Sequence, residues 1–188
     1  MWRVIFKFYG IYTNIKTLFK LRYYKFLWKY QLHVHADFNF DVNSFLDIQS
    51  GNSQVWIGKG VHFRKFCNII CSEYGKLRIG NHVFFNNYSS INCLSDITIG
   101  DNCIFGEGVR LYDHNHEYKD DTAILSQGYK LGIIVIGNNC WVGSNTIILP
   151  NVTIGDNVVI GANNIIFKSI PSNTIVKAKV DYHIHSLS

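Results

Sequence analysis

The chain has 188 residues, of which 47% are hydrophobic and only 16% charged, the profile of one folded domain with appendages rather than a disordered chain. Its net charge of +5 sits at the N-terminus: residues 1–36 hold seven bases and no acid, whereas the remainder holds 11 bases and 13 acids. That distribution argues against a nucleic-acid-binding surface on the main body, and five cysteines without paired spacing argue against a disulfide framework and for a reducing, cytoplasmic setting.

Residues 1–30 place Ile5, Phe8, Tyr9, Tyr12, Ile15 and Phe19 at helical spacing, with bases between them. Two readings of this segment stand side by side. It makes a peripheral contact with an anionic membrane surface at the inner face, where Lys, Arg and aromatic rings suit the interface. Alternatively it is a helix that caps the open end of the body behind it. A membrane span is not expected, because the longest uncharged run, Phe8 to Ile15, falls short of the ~20 residues a bilayer needs. A secretory signal is not expected either, since no uncharged stretch leads to a small-residue cleavage site. The boundaries expected are 1–50 for this segment, 51–168 for the body and 169–188 for a tail.

The body counts by sixes. Ile136, Val142, Ile148, Ile154, Ile160 and Ile166 are branched aliphatics six apart. Shorter blocks precede them: Ile57-Phe63-Ile69, then Ile79-Phe85-Ile91-Ile97, then Ile99-Phe105-Leu111, with a two-residue slip from Ile97 to Ile99 that reads as a corner adjustment. A period of six fits neither a helix face nor an alternating strand. It fits a coil of three flat faces, a triangular parallel β-helix of about five to six turns between Val55 and Phe167. Gly follows many of the aliphatics, and Asn or Asp recurs beside it, as at Gly100-Asp101-Asn102 and Gly137-Asn138-Asn139. Such residues form tight corners cheaply. Cys67, Cys103 and Cys140 lie four residues after Phe63, Ile99 and Ile136 and read as small buried side chains.

Between Leu111 and Ile136 the stride breaks, and residues 112–135 must leave the body as a loop. The loop carries Asp113, His114 and His116, and long loops in compact domains are usually functional.

Over about residues 75–171, and most strongly over IGNNCWVGSNTIILPNVTIGDNVVIGANNIIFKSIP, the chain resembles the hexapeptide-repeat acyltransferases of the maltose/galactoside O-acetyltransferase-like branch, which includes polysaccharide O-acetyltransferases. The resemblance implies an all-β, left-handed parallel β-helix, a homotrimer, and acetyl-CoA as co-substrate in a groove between coils. It implies that His116, which an ungapped count from Leu111 brings onto the family's histidine, is the general base, with His114 the second candidate. Only His is poised near neutral pH to take the proton of an attacking alcohol. Asp113 either orients the imidazole or is a solvated loop carboxylate.

The same resemblance places Trp141 in the donor and acceptor pocket and Gly143, Ser144, Ala162 and Lys168 along the coenzyme. Ser144 falls near the thioester carbonyl, where its hydroxyl or adjacent amides would stabilise an oxyanion. Asn86 falls on a position that binds acceptor hydroxyls. The tail NTIVKAKVDYHIHS departs from the family's pattern near the nucleotide. The expected activity is acetylation of a sugar hydroxyl of a surface polysaccharide (capsule or O-antigen) or its lipid-linked precursor, by direct transfer and with no metal. N-acetylation of a nucleotide-linked amino sugar and a non-catalytic trimeric scaffold are the alternatives. Zinc-dependent relatives on this coil need three converging histidines, and no His lies between His116 and His183. The acceptor sugar and the acyl chain length are not specified by these residues.

Overall fold

The computed structural model describes residues 16–49, 51–119 and 121–178. Short parallel strands stack into three sheets of six, seven and six strands, forming a left-handed β-helix of about six turns. The first face runs through Leu32–Val34, Gln54–Ile57, Lys76–Ile79, Asp96–Ile99, Ile133–Ile136 and Val152–Ile154. Within each strand inward and outward side chains alternate, so the stride of six becomes one buried pile per face. Ile57, Ile79, Ile99, Ile136 and Ile154 stack in register and are each at most 3% exposed.

Aromatic rungs fill the second face's inner side. Phe63, Phe85 and Phe105 stack with ring centroids 4.3 Å apart and planes within 6°. Phe40 meets Phe63 edge-on at 5.8 Å. Burying one such ring contributes roughly 1.5–3 kcal/mol. Glycine follows the inward aliphatic because coils touch there: a Cβ on Gly100 would lie 2.8 Å from the Gly137 carbonyl carbon and oxygen. At the next position side chains satisfy backbone amides of the coil below. Asn81 N donates to Asp101, Asp101 N to Asn138 and Asn138 N to Asp156, at 2.6–2.9 Å. Asn102, Asn139, Asn157 and Asn173 then turn the corner at positive φ, which Asn tolerates.

The coil is longer than the six-residue count marks. It begins at Leu32, inside the segment assigned to 1–50, and Ile175–Val176 pairs with Val159–Ile160 beyond the expected end at 168. Val34 and Ile57 are register partners at a separation that is no multiple of six, so a rigid count loses them. Phe38, Phe40, Leu46 and Ile48 fill the inward sites of that first turn.

Residues 16–27 are helical and lie against the first turn. Tyr24 is buried, and its hydroxyl accepts from Leu46 N at 3.4 Å. Lys20 Nζ donates to the carbonyls of Val42, at 2.9 Å, and Ser44. These contacts hold the stretch against the first turn. Its opposite side exposes Phe19, Tyr23, Phe26 and Tyr30. Residues 1–15 of the segment read as amphipathic, and His183 and His185 of the tail, lie outside the described residues. No helix among the described residues is long and apolar enough to cross a membrane.

All five cysteines are buried and free. The thiols of Cys67, Cys103 and Cys140 donate to Asn86, Gly137 and Gly155 carbonyls at 3.1 Å. They behave as hydrogen-bonding corner residues as well as small apolar ones. Burial pushes the Cys67 thiol up to about 11, so it stays protonated and unreactive.

Candidate active site

The interruption of the stride forms a hairpin. His114–His116 pairs antiparallel with Tyr129–Leu131, and Ile124–Ser126 makes a 3-10 turn at its far end. The insertion is tighter than 112–135, because Tyr112 still belongs to the third face and Ile133–Val135 already to the first.

Asp113 stands at the root of the hairpin and is wholly buried. Its carboxylate accepts from Leu94 N at 2.9 Å and Ser95 N at 2.7 Å. These two amides belong to the corner just before the Ile97–Ile99 slip, so the extra residues build a seat for the carboxylate. The expectation of a solvated loop carboxylate is overturned by that burial. Asp113 Oδ1 also lies 3.1 Å from His114 Nδ1. With Nδ1 donating to the carboxylate, Nε2 is the atom left to accept a proton. Tyr129 meets the same imidazole edge-on at 5.2 Å.

His116 is exposed two residues along, its ring 4.7 Å from Tyr129. The structure thus pairs the carboxylate with His114, whereas counting along the sequence singled out His116. Adjacent residues on a strand point to opposite sides, but Asp113 is the bend between two strands, which lets it turn back onto its neighbour.

Trp141, Gly143, Ser144 and Ala162 converge on one groove of about 410 Å³, bordered also by Val159, Gly161, Ile175, Val176 and Lys177. Trp141 is 56% exposed and forms its wall. The groove follows the corner between the second and third faces, where Gly143 N donates to Ile160 O at 2.7 Å and Gly161 N to Val176 O at 2.9 Å. A Cβ on Gly143 would lie 2.5 Å from Ala162 N, so the coils close up and the floor is backbone.

Lys168 does not border this groove, and its ammonium lies over the Phe167 ring at 5.7 Å. Lys177 does border it. Sequence reasoning passed over Lys177 because the tail lacks the familiar pattern; its spacing from Gly161, one coil on, was the available signal. Asn86 sits on the same corner two coils before Gly143, through Asn86 N to Phe105 O and Gly106 N to Val142 O. Its side-chain oxygen accepts from Asn87 N at 2.8 Å and Arg64 Nη1 at 3.2 Å, so it braces its own turn.

His114 follows the third face, whereas the groove precedes it. No hydrogen bond or ring contact joins His114 to Trp141 or Ser144 among the described residues. Among the described residues, no cluster of three His, Cys, Asp or Glu is placed to hold a metal ion.

Comparison with known proteins agrees with the repeat and the fold. The bacterial transferase hexapeptide (six repeats) family matches residues 133–168. Nodulation protein L of Rhizobium meliloti (strain 1021) is 44% identical over 101 residues, covering 53% of this chain and 54% of that protein. The galactoside O-acetyltransferase of Escherichia coli (strain K12) is 36% identical over 120 residues, covering 64% and 55%. The chain thus spans about half the length of these curated relatives. Among solved structures, the N-acyltransferase AntD of Bacillus cereus, in complex with dTDP and coenzyme A, shares the fold with a TM-score of 0.62 at 21% identity, covering 80% of this chain and 82% of that one. The repeat, the coil it builds and these likenesses make the chain similar to the bacterial hexapeptide-repeat transferases, whose repeat is matched over residues 133–168.

Proposed function

We propose that this protein is an acetyl-CoA-dependent O-acetyltransferase acting on a sugar hydroxyl of a surface polysaccharide or its lipid-linked precursor, with His114 as general base. The observation that carries the reading is the buried Asp113 carboxylate, held by two backbone amides and itself holding His114. That arrangement keeps Nε2 ready to accept a proton and stabilises the imidazolium that forms. His114 takes the proton of the acceptor hydroxyl as its oxygen attacks the thioester carbonyl. The carbon–sulfur bond then breaks, and the imidazolium returns the proton to the departing thiolate. The Ser144 hydroxyl stabilises the intervening oxyanion. The residues bordering the groove suit the donor: Trp141 as a wall, a glycine-lined floor and Lys177 for a phosphate.

The placement of the two halves supports a homotrimer. His114 and the groove stand at different corners of one triangular coil, and neighbouring copies about a threefold axis bring one copy's histidine to the next copy's groove. The hairpin's exposed Tyr118, Ile124 and Leu125 supply apolar surface for that contact. The aromatic and basic outer side of residues 16–30 supports peripheral contact with the cytoplasmic membrane surface, where a lipid-linked acceptor would be met.

Release of free CoA from acetyl-CoA, followed across a panel of neutral glycan acceptors, tests the activity. Acceptor-dependent release that is lost in His114→Ala and weakened in Trp141→Ala is the expected result. Undiminished release in both variants would overturn the reading. Flotation of the full chain with vesicles containing phosphatidylglycerol tests the membrane contact, with Phe19→Ser/Phe26→Ser expected to leave the protein at the bottom of the gradient.

A further inference from the structure

The end of the helix and the first two coils border a second groove, which shares no lining residue with the groove of Trp141. It measures about 570 Å³, and its wall carries five basic side chains from separate parts of the chain. Lys25 and Lys29 come from the helix and the turn that follows it. His33 lies on the first strand, His35 just after it, and Lys59 at the corner of the next coil. No Asp or Glu lines the groove.

Like charges gathered along one wall repel unless something neutralises them. The described residues supply no such partner. Lys25, Lys29 and Lys59 form no ion pair among them, and Lys29 lies over the Tyr30 ring, 5.2 Å from its centroid. Two carboxylates bond to residues at the groove's margin, and both are engaged there. Asp37 accepts from Gly60 N at 3.0 Å and holds His35, while Asp101 accepts from Asn81 N at 2.7 Å.

Helix geometry accounts for only part of the cluster. Cations in a helix's last turn offset its dipole, which is reason enough for Lys25 and Lys29. Lys59 has no such reason. Its corner is fixed by Lys59 N donating to Asn81 Oδ1 at 2.9 Å, and that corner brings a third ammonium to the same wall. His33 is likewise held in place, its ring stacked on Trp56 at 5.6 Å and its Nε2 3.2 Å from Gln54 Oε1.

The groove's rim points to the source of an anion. Phe26 and Tyr30 follow Lys25 and Lys29 by one residue and are 81% and 79% exposed, so an aromatic side of this segment runs beside the cationic one. Rings of this kind rest at the headgroup level of a bilayer, with lysines reaching the phosphates. An ammonium is a compact point charge, and several of them together favour an anion of dense charge over a diffuse one.

We propose that this groove is a phosphate site, which takes the phosphate monoester or diphosphate of a membrane lipid while Phe26 and Tyr30 enter the interface beside it. Lys25 and Lys29 grip the headgroup from the helix and Lys59 from the coil, with His33 and His35 adding ring nitrogens between them. The assignment rests on the membrane-contact part of the reading above and adds the headgroup chemistry that the contact selects.

Flotation of the full chain tests it with phosphatidylcholine vesicles that contain either phosphatidic acid or phosphatidylglycerol, the two sets matched in zeta potential. The wild type is expected to bind the phosphatidic acid vesicles several fold more tightly. Lys59→Gln is expected to weaken that binding about fivefold, the effect of one lysine at an anionic surface, and to erase the preference. Lys65→Gln removes the same charge from another corner and is expected to keep both. Both lysines are exposed, so neither variant is expected to change the melting temperature. Equal binding of the wild type to the two lipids overturns the site, as do equal losses in the two variants; the membrane contact itself survives either result. Isothermal titration with inorganic pyrophosphate separates a lipid from a soluble source. Binding to no vesicle, together with saturable pyrophosphate binding that Lys59→Gln abolishes, would uphold the phosphate site, give it a soluble ligand and sink the membrane contact. Failure to bind either vesicles or pyrophosphate overturns the proposal.

Discussion

The coils before the hairpin and the coils after it close the same triangle with different lengths of chain. After the hairpin, Ile136 and Ile154 are register partners at three strides of six, with nothing to spare. Before it, Ile57 pairs with Ile79 and Ile79 with Ile99 at wider spacings, so each of those coils carries surplus chain. The corners differ as well. Asn139, Asn145, Asn157 and Asn163 turn the later coils at positive φ, whereas in the earlier ones Phe66, His82 and Tyr88 do so beside Gly60, Asn102 and Gly108. The difference shows what each region is built for. The later coils are regular, and their closely packed glycine corners make a rigid groove. The earlier coils carry surplus residues and strained corners, and those features seat Asp113 and stack the exposed rings.

The sharpest way to break this comparison is at the surplus corner's product. His114→Ala is expected to lower acetyl transfer by about 10²–10⁴, with a far smaller loss for His116→Ala. CoA-release kinetics would show the reverse order if the carboxylate's placement were incidental.

Next in size is the seat itself. Asp113→Ala strands the amides of Leu94 and Ser95, each buried donor costing about 1–3 kcal/mol when left unpaired. The matching change in the regular coils, Asp156→Ala, removes bonds to Asn138 in an exposed corner. It is expected to cost only about 0.5–1.5 kcal/mol. Urea denaturation of the two variants compares them directly, and equal losses would mean the seat is no tighter than an ordinary rung.

A similar swap tests the corners. Asn163→Phe imports an aromatic rung into the regular coils and is expected to cost about 1–3 kcal/mol of backbone strain, read as a lower melting temperature. The smallest effect concerns the groove's rim. Lys177→Ala is expected to raise the acetyl-CoA KM by a few fold, as an exposed charge worth about 0.2–1 kcal/mol allows. Lys168→Ala leaves it alone. Equal effects would return Lys168 to the coenzyme.

Much of the fold was legible because a six-residue stride has one geometric solution, and Ile136 to Ile166 keep that stride unbroken. The first turn was not, since Leu32 to Ile48 reach the core through a coil that is no whole number of strides and through aromatic inward residues. The groove's residues were named through the family resemblance, and the stride explains why they meet. Trp141, Gly143, Ser144 and Ala162 lie in regular coils, where positions three strides apart are neighbours. Lys177 belongs to a stretch whose stride had already faded. The histidine pairing was hidden because it depends on a bend at Asp113 and on two amides of the preceding coil, which no local pattern records.

By itself, then, the sequence determined a triangular coil and the place where it is interrupted, since both follow from a repeat in which neighbours in space are neighbours in count. Only the tertiary structure decided which histidine receives the carboxylate, that the helix of residues 16–27 covers the first turn, and that Phe66 and Tyr88 stack on the outside of the coil. These outcomes depend on where irregular residues come to rest once the coils are stacked. That is set by hydrogen bonds and packing between distant segments, not by the stride.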